Sequence, residues 1–150
     1  MKNLALVTGV FAALAFPSLA SAMTDAECTA AWTKADVNSD GVLATPEGSR
    51  YLAALRVAEK PVVDGKLTQA AFFEHCKAGH FNVVQVEVGA PLPGSNSFTE
   101  SQAIDRAMAA GLTGISVLKK DDKGVWRGTG ADGSKTVNVA VDFKGNVVVN

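Results

Sequence analysis

The sequence predicts an α+β chain, helical in its first half and a helix followed by an antiparallel sheet in its second. Three observations carry this. Apolar residues recur at helical spacing up to about Gly79. A Pro- and Gly-rich stretch, Gly89 to Ser97, interrupts the pattern. Beyond Gly111, short runs rich in Val and Thr alternate with Asp- and Gly-containing turns, the signature of strands joined by hairpins. The divisions that follow are a leader over 1–22, a helical module over 23–80, a strand and linker over 81–96, and an α+β module over 97–150.

Residues 1–22 read as an export signal. Lys2 supplies the positive start, Leu4 to Phe16 carries no charge, and Ala20-Ser21-Ala22 has the small-x-small pattern of a cleavage site. The apolar run is shorter than the roughly 20 residues of a membrane-spanning helix. The expectation is a periplasmic or secreted protein with no membrane span after cleavage.

The chain carries 14 basic and 15 acidic residues, a net charge of −1, and loss of Lys2 with the leader makes it one unit more negative. That balance excludes the basic stripe of a nucleic-acid binder. The two cysteines are Cys28 and Cys76. In an oxidising compartment two such thiols pair, and a bridge would tie the first helix of the module to its last.

The first helix opens at Thr24-Asp25-Ala26-Glu27, a capping box. Cys28, Ala31, Trp32 and Ala35 share one face. The helix then meets Asp36-Val37-Asn38-Ser39-Asp40-Gly41-Val42-Leu43-Ala44-Thr45-Pro46-Glu47. Oxygen-bearing side chains stand at positions 1, 3, 5 and 12 of this run, and Gly41 permits a sharp turn at position 6. Val42 at position 7 offers a backbone carbonyl, and Leu43 is an inward apolar anchor. Hard oxygen donors at this spacing suit Ca²⁺. The run resembles the calcium loop of an EF-hand, which implies Asp36, Asn38, Asp40, Val42 and Glu47 as ligands of one Ca²⁺. Position 9 is Ala44, so a water would serve there.

A second helix is expected from near Pro46 to Glu59, burying Tyr51, Leu52 and Leu55 and stopped by Pro61. Asp64-Gly65-Lys66-Leu67-Thr68 matches positions 5 to 9 of a second, degraded loop. Position 1 is then Lys60, position 3 Val62 and position 12 Ala71, so calcium is not expected there, although Leu67 can pair with Leu43 in a short ribbon. The exit helix carries Phe72, Phe73 and Cys76. His75 and His80 flank Cys76, but no fourth zinc ligand is evident. The two loops start 24 residues apart, so one helix must both leave the first and enter the second. Abbreviated pairs of this kind resemble the small EF-hand modules of exported bacterial proteins.

Phe81 to Val88 is valine-rich and strand-like. After the linker, Ser97-Phe98-Thr99-Glu100 reads as a capping box, and Ala103, Ile104, Ala107 and Met108 line one helix face that ends at Gly111. Strands are expected over 115–119, 125–129 and 136–143, with a short last one over 147–149. Val137, Val139, Val141 and Phe143 face one side, and Asn138, Ala140 and Asp142 the other. The segments S-F-T-E-x-Q-A, L-K-K-D-D-K-G-V-W-R-G-T and the final D-G-containing hairpin resemble the PepSY domain. That resemblance implies one helix on a three- to four-stranded antiparallel sheet, and a protein partner in the cell envelope.

No Ser/His/Asp set is available in the second half, since both histidines lie outside it. Asp121, Asp122, Asp132 and Asp142 stand where turns and strand ends need Asp. A non-enzymatic protein is therefore expected. Trp126 with Arg127 is the candidate recognition surface, weighed against a core tryptophan beside an exposed arginine. The functional expectation is an exported calcium-binding protein with a protein-interaction domain. The alternative is a regulator of envelope peptidases in which the calcium loop is structural only.

Overall fold

The computed structural model describes residues 22–150. The leader expected over 1–22 lies, but for its last residue, outside the described residues.

Thr24 caps the first helix, α1 (Asp25–Ala35), with the expected reciprocal box to Glu27. Two-residue strands β1 (Val42–Leu43) and β2 (Leu67–Thr68) pair antiparallel, with Leu43 opposite Leu67 and both buried. Between them runs α2 (Ser49–Val57). It starts later than Pro46 because residues 45–48 form a turn, and Gly48 caps the helix without a side-chain hydrogen bond. Thr68 caps α3 (Gln69–Lys77).

The core of this half is aromatic. The Phe72 ring lies 5.2 Å from Trp32 and 4.9 Å from both Tyr51 and Phe81. Edge-on and tilted pairs of this kind gain about 1 kcal/mol each beyond area burial. The Cys28–Cys76 disulfide fastens α1 to α3, with Cα atoms 6.0 Å apart. Such a bond forms in oxidising compartments outside the cytoplasm. Among the described residues no helix is long and apolar enough to cross a membrane.

The second half contains β3 (Val86–Glu87), α4 (Glu100–Ala109), β4 (Lys119–Lys120), β5 (Trp126–Asp132), β6 (Lys135–Val141) and β7 (Val147–Val149). The expectation of a three- to four-stranded antiparallel sheet is corrected in two ways. Five strands run in the order β3-β7-β6-β5-β4, and β3 pairs parallel to β7, with Val86 opposite Val147. The sheet is therefore mixed. The strand expected over 115–119 shrinks to β4. The chain before it touches β5 at isolated points, such as the Thr113–Ala131 bridge and the Ser116 N–H to the Thr129 carbonyl.

The cap of α4 is also shifted. Thr99 rather than Ser97 is the N-cap, and its box closes on Gln102. One face of the sheet packs on α4 through Val139, Val141 and Val147, and Val125, Ala140 and Val148 form a separate buried cluster.

Residues 89–97 are fastened at several points. The Gly94 N–H bonds to the Lys123 carbonyl, and Leu92 donates its N–H to buried Asp142. A Cβ at Gly124 would collide with the Gly94 carbonyl, and one at Gly94 would enter the Phe143 ring.

The two halves meet where α2 packs on α4. Ala53 and Ala54 of α2, and Ala103 and Ala107 of α4, are fully buried.

Candidate metal centre

The run from Asp36 to Glu47 leaves the C-terminus of α1 and ends just before α2. Ser39 and Gly41 take positive φ values of 58° and 79°. This left-handed backbone folds the loop back on itself, and at position 41 glycine adopts it without steric cost.

Backbone N–H groups aim the carboxylates. Asp36 accepts from Asp40 at 3.1 Å through one oxygen and from Gly41 at 3.2 Å through the other. Asp40 accepts from the Val42 N–H at 2.9 Å, and Glu47 reaches back to the Val37 N–H at 3.2 Å. As a result Asp36, Asp40 and Glu47 each bring one carboxylate oxygen within 4.8 Å of the others. Asp36 and Glu47 are half-buried and Asp40 is exposed.

Asn38 sits among them. Its amide N–H₂ donates to Asp40 Oδ2 and Glu47 Oε1, at 3.1 Å each, and its Oδ1 accepts from the Asp40 N–H at 2.9 Å. The amide thus presents its positive end to two carboxylates whose charges repel. Three of the five sequence-derived ligands, Asp36, Asp40 and Glu47, bring carboxylate oxygens together, while Asn38 faces two of them through its amide nitrogen and Val42 lies between Asp40 and Glu47 in the chain. An all-oxygen donor set matches a hard cation and not a soft one.

The second loop is a tight turn. Asp64 and Gly65 both have positive φ, 51° and 66°, and the Lys66 N–H bonds to the Val63 carbonyl at 3.0 Å. This is the two-residue hairpin geometry that Asp-Gly favours.

The other candidates resolve into structural roles. Cys76 is in the disulfide, so the zinc set of Cys76 with two imidazoles has lost its thiolate. His75 and His80 face each other with Nδ1 atoms 3.0 Å apart and ring centres 5.2 Å apart. The nitrogens therefore lie close to the line between the rings, the arrangement of an N–H···N hydrogen bond. Burial lowers the His80 pKa, helped by the Lys60 charge and by His75, and opposed by Glu74.

Trp126 is half-buried against the core. Its indole N–H donates to the Phe98 carbonyl at 3.1 Å, and the Lys120 ammonium lies 5.0 Å from its ring centre. Arg127 is exposed and pairs with Asp121 at 2.6 Å. Side-chain bonding from Arg127 and the backbone N–H of Val125 hold the Asp121 carboxyl below its usual pKa. The pair thus matches the core-tryptophan alternative.

Asp142 is 1 % exposed. It accepts from the N–H groups of Leu92, Lys144 and Asn146 and from the Asn146 amide. It fixes the β6–β7 turn, as an Asp before Lys-Gly-Asn suggests.

Comparison with known proteins finds no matching family model, no matching curated protein and no matching solved structure.

Proposed function

We propose that this chain is an exported protein that binds one Ca²⁺ in the 36–47 loop, through Asp36, Asn38, Asp40, the Val42 carbonyl and Glu47. One observation supports the reading above others: three carboxylates spaced as a calcium loop requires bring their oxygens within 4.8 Å. Bound calcium would neutralise the cluster. Asn38 would turn its amide so that oxygen, not nitrogen, faces the ion. A water would complete the set beside Ala44. Three acidic ligands suit the weaker range of extracellular modules, with Kd of about 10⁻⁵–10⁻³ M.

The ion would hold the end of α1 to the start of α2. On this reading calcium acts through stability, since whatever binds only the folded state stabilises it. The second half, by its resemblance to PepSY, would make protein contacts in the envelope, and no catalytic role is assigned to it.

Thermal melting of the purified protein tests the calcium site. Calcium chloride at several millimolar should raise Tm, and Glu47→Gln should abolish that rise. Equal Tm values for the wild type with calcium and with chelator would refute the reading.

A further inference from the structure

Between α2 and α4, away from the acidic loop, lies a pocket of about 130 Å³. Arg56, Glu59, Phe98, Gln102, Asp105 and Arg106 contribute to its walls. The two arginines are used differently. Arg56 is committed to Asp105, donating to both carboxylate oxygens at 2.9 and 2.6 Å. Arg106 has no such partner. Its guanidinium carbon lies 4.2 Å from the Phe98 ring centre, and a Cβ added to Gly145 would come within 2.6 Å of that carbon.

An aromatic ring and a bare glycine backbone thus hold the guanidinium plane in place. Among the described residues no carboxylate or carbonyl takes its N–H groups. Arg106 is half-buried, and burial lowers its pKa, yet a guanidinium remains protonated. A fixed, charged, unused fork is a poor structural element and a good recognition element, because little side-chain freedom is lost when it binds.

Gln102 adds a second donor. Its Oε1 is taken by the Thr99 N–H and hydroxyl, at 3.0 and 3.3 Å, so the amide is oriented while its N–H₂ has no partner among the described residues. Charge narrows the ligand. Arg56 and Asp105 cancel, leaving one positive group, Arg106, and one negative group, Glu59. That balance favours a monoanion over a phosphate dianion. A planar carboxylate matches a guanidinium fork and is small enough for this volume.

We propose that this pocket binds a small monocarboxylate, held by Arg106 and Gln102 against Phe98. The site is independent of the calcium loop. Its probe is sodium acetate, titrated into the purified ¹⁵N-labelled protein against sodium chloride of equal ionic strength. The Arg106 Nε–H signal is the readout, assigned from its loss in Arg106→Lys. Acetate should give a saturable shift that chloride does not, and phosphate should be the weaker ligand.

Gln102→Glu keeps the capping box, since Glu serves at that position, but removes the amide donor and adds a repelling charge. It should weaken acetate binding by about tenfold or more, the loss expected for a hydrogen bond to a charged group. Glu59→Gln should tighten it. An acetate response indistinguishable from chloride overturns the proposal, as does unchanged acetate affinity in Gln102→Glu.

Discussion

The Arg56 guanidinium on α2 grips both carboxylate oxygens of Asp105 on α4, at 2.9 and 2.6 Å, and so clasps the two halves of the chain. The Arg56 side chain is 49 % exposed and that of Asp105 16 %. The bond to Asp105 raises the Arg56 pKa. Solvent screens a pair this open, so it contributes far less than a buried one would. A double-mutant cycle with Arg56→Gln and Asp105→Asn, followed by urea unfolding, should give a coupling of about 1 kcal/mol. Added salt should weaken it. Zero coupling at low salt would show that buried alanines alone carry the interface.

The disulfide spans 48 residues of chain. In the chain-entropy account, closing such a loop stabilises the fold by about 4 kcal/mol. Reduction, or a double Cys28→Ala/Cys76→Ala change, should therefore lower Tm by well over 10 °C, given a shift of about 4 °C per kcal/mol for a domain of this size. Matching melting curves with and without reductant, with thiols shown to be free, would contradict this.

Asn38→Asp separates the two states of the acidic loop. Without calcium it replaces the amide that donates to Asp40 and Glu47 by a fourth repelling charge beside Asp36, Asp40 and Glu47, so Tm should fall. With calcium it adds an anionic ligand, so the calcium-induced rise in Tm should exceed that of the wild type. A variant that loses stability equally with and without the ion would show Asn38 to be a purely structural amide.

His80 gives a pH signature. Its folded pKa lies below the ordinary imidazole value of about 6.5. Below that value the unfolded chain takes up a proton that the folded chain resists, so stability should decline as pH falls through about 6.5 towards the folded pKa. It should be fully present above that window. His80→Gln should flatten this part of the stability profile in urea titrations between pH 7.5 and 5. An unaltered slope in the variant would assign the pH dependence to other groups.

Local chemistry is what the sequence displayed best. The Thr24–Glu27 box, the bend at Gly41, the Leu43–Leu67 ribbon and the β5–β6 hairpin all depend on residues near in sequence or on a strict alternation. The Cys28–Cys76 bridge followed from having two thiols. Helix starts were harder to place. Ser97 and Thr99 both begin an acceptable capping pattern, and only packing selects Thr99. The turn over 45–48 moves the start of α2 past Pro46.

The parallel partner of β7 was hidden. Val86 and Glu87 are too few to show alternation, and Val147 lies about 60 residues away. The pocket around Arg106 was hidden for a similar reason. Its walls come from the end of α2 and, about 40 residues later, from Phe98 and α4, which nothing local in the sequence brings together.

The pairing of β3 with β7 also sets where this protein can be cut. A fragment beginning at Ser97 would retain α4 and the four strands β4 to β7 but expose the β7 backbone that Val86 and Glu87 cover. Open edges of that kind recruit other strands. Both pieces lose α2 and bare the α4 face it covers, so a piece beginning at Ser97 should self-associate more strongly than one beginning before Val84, which keeps the β7 edge paired.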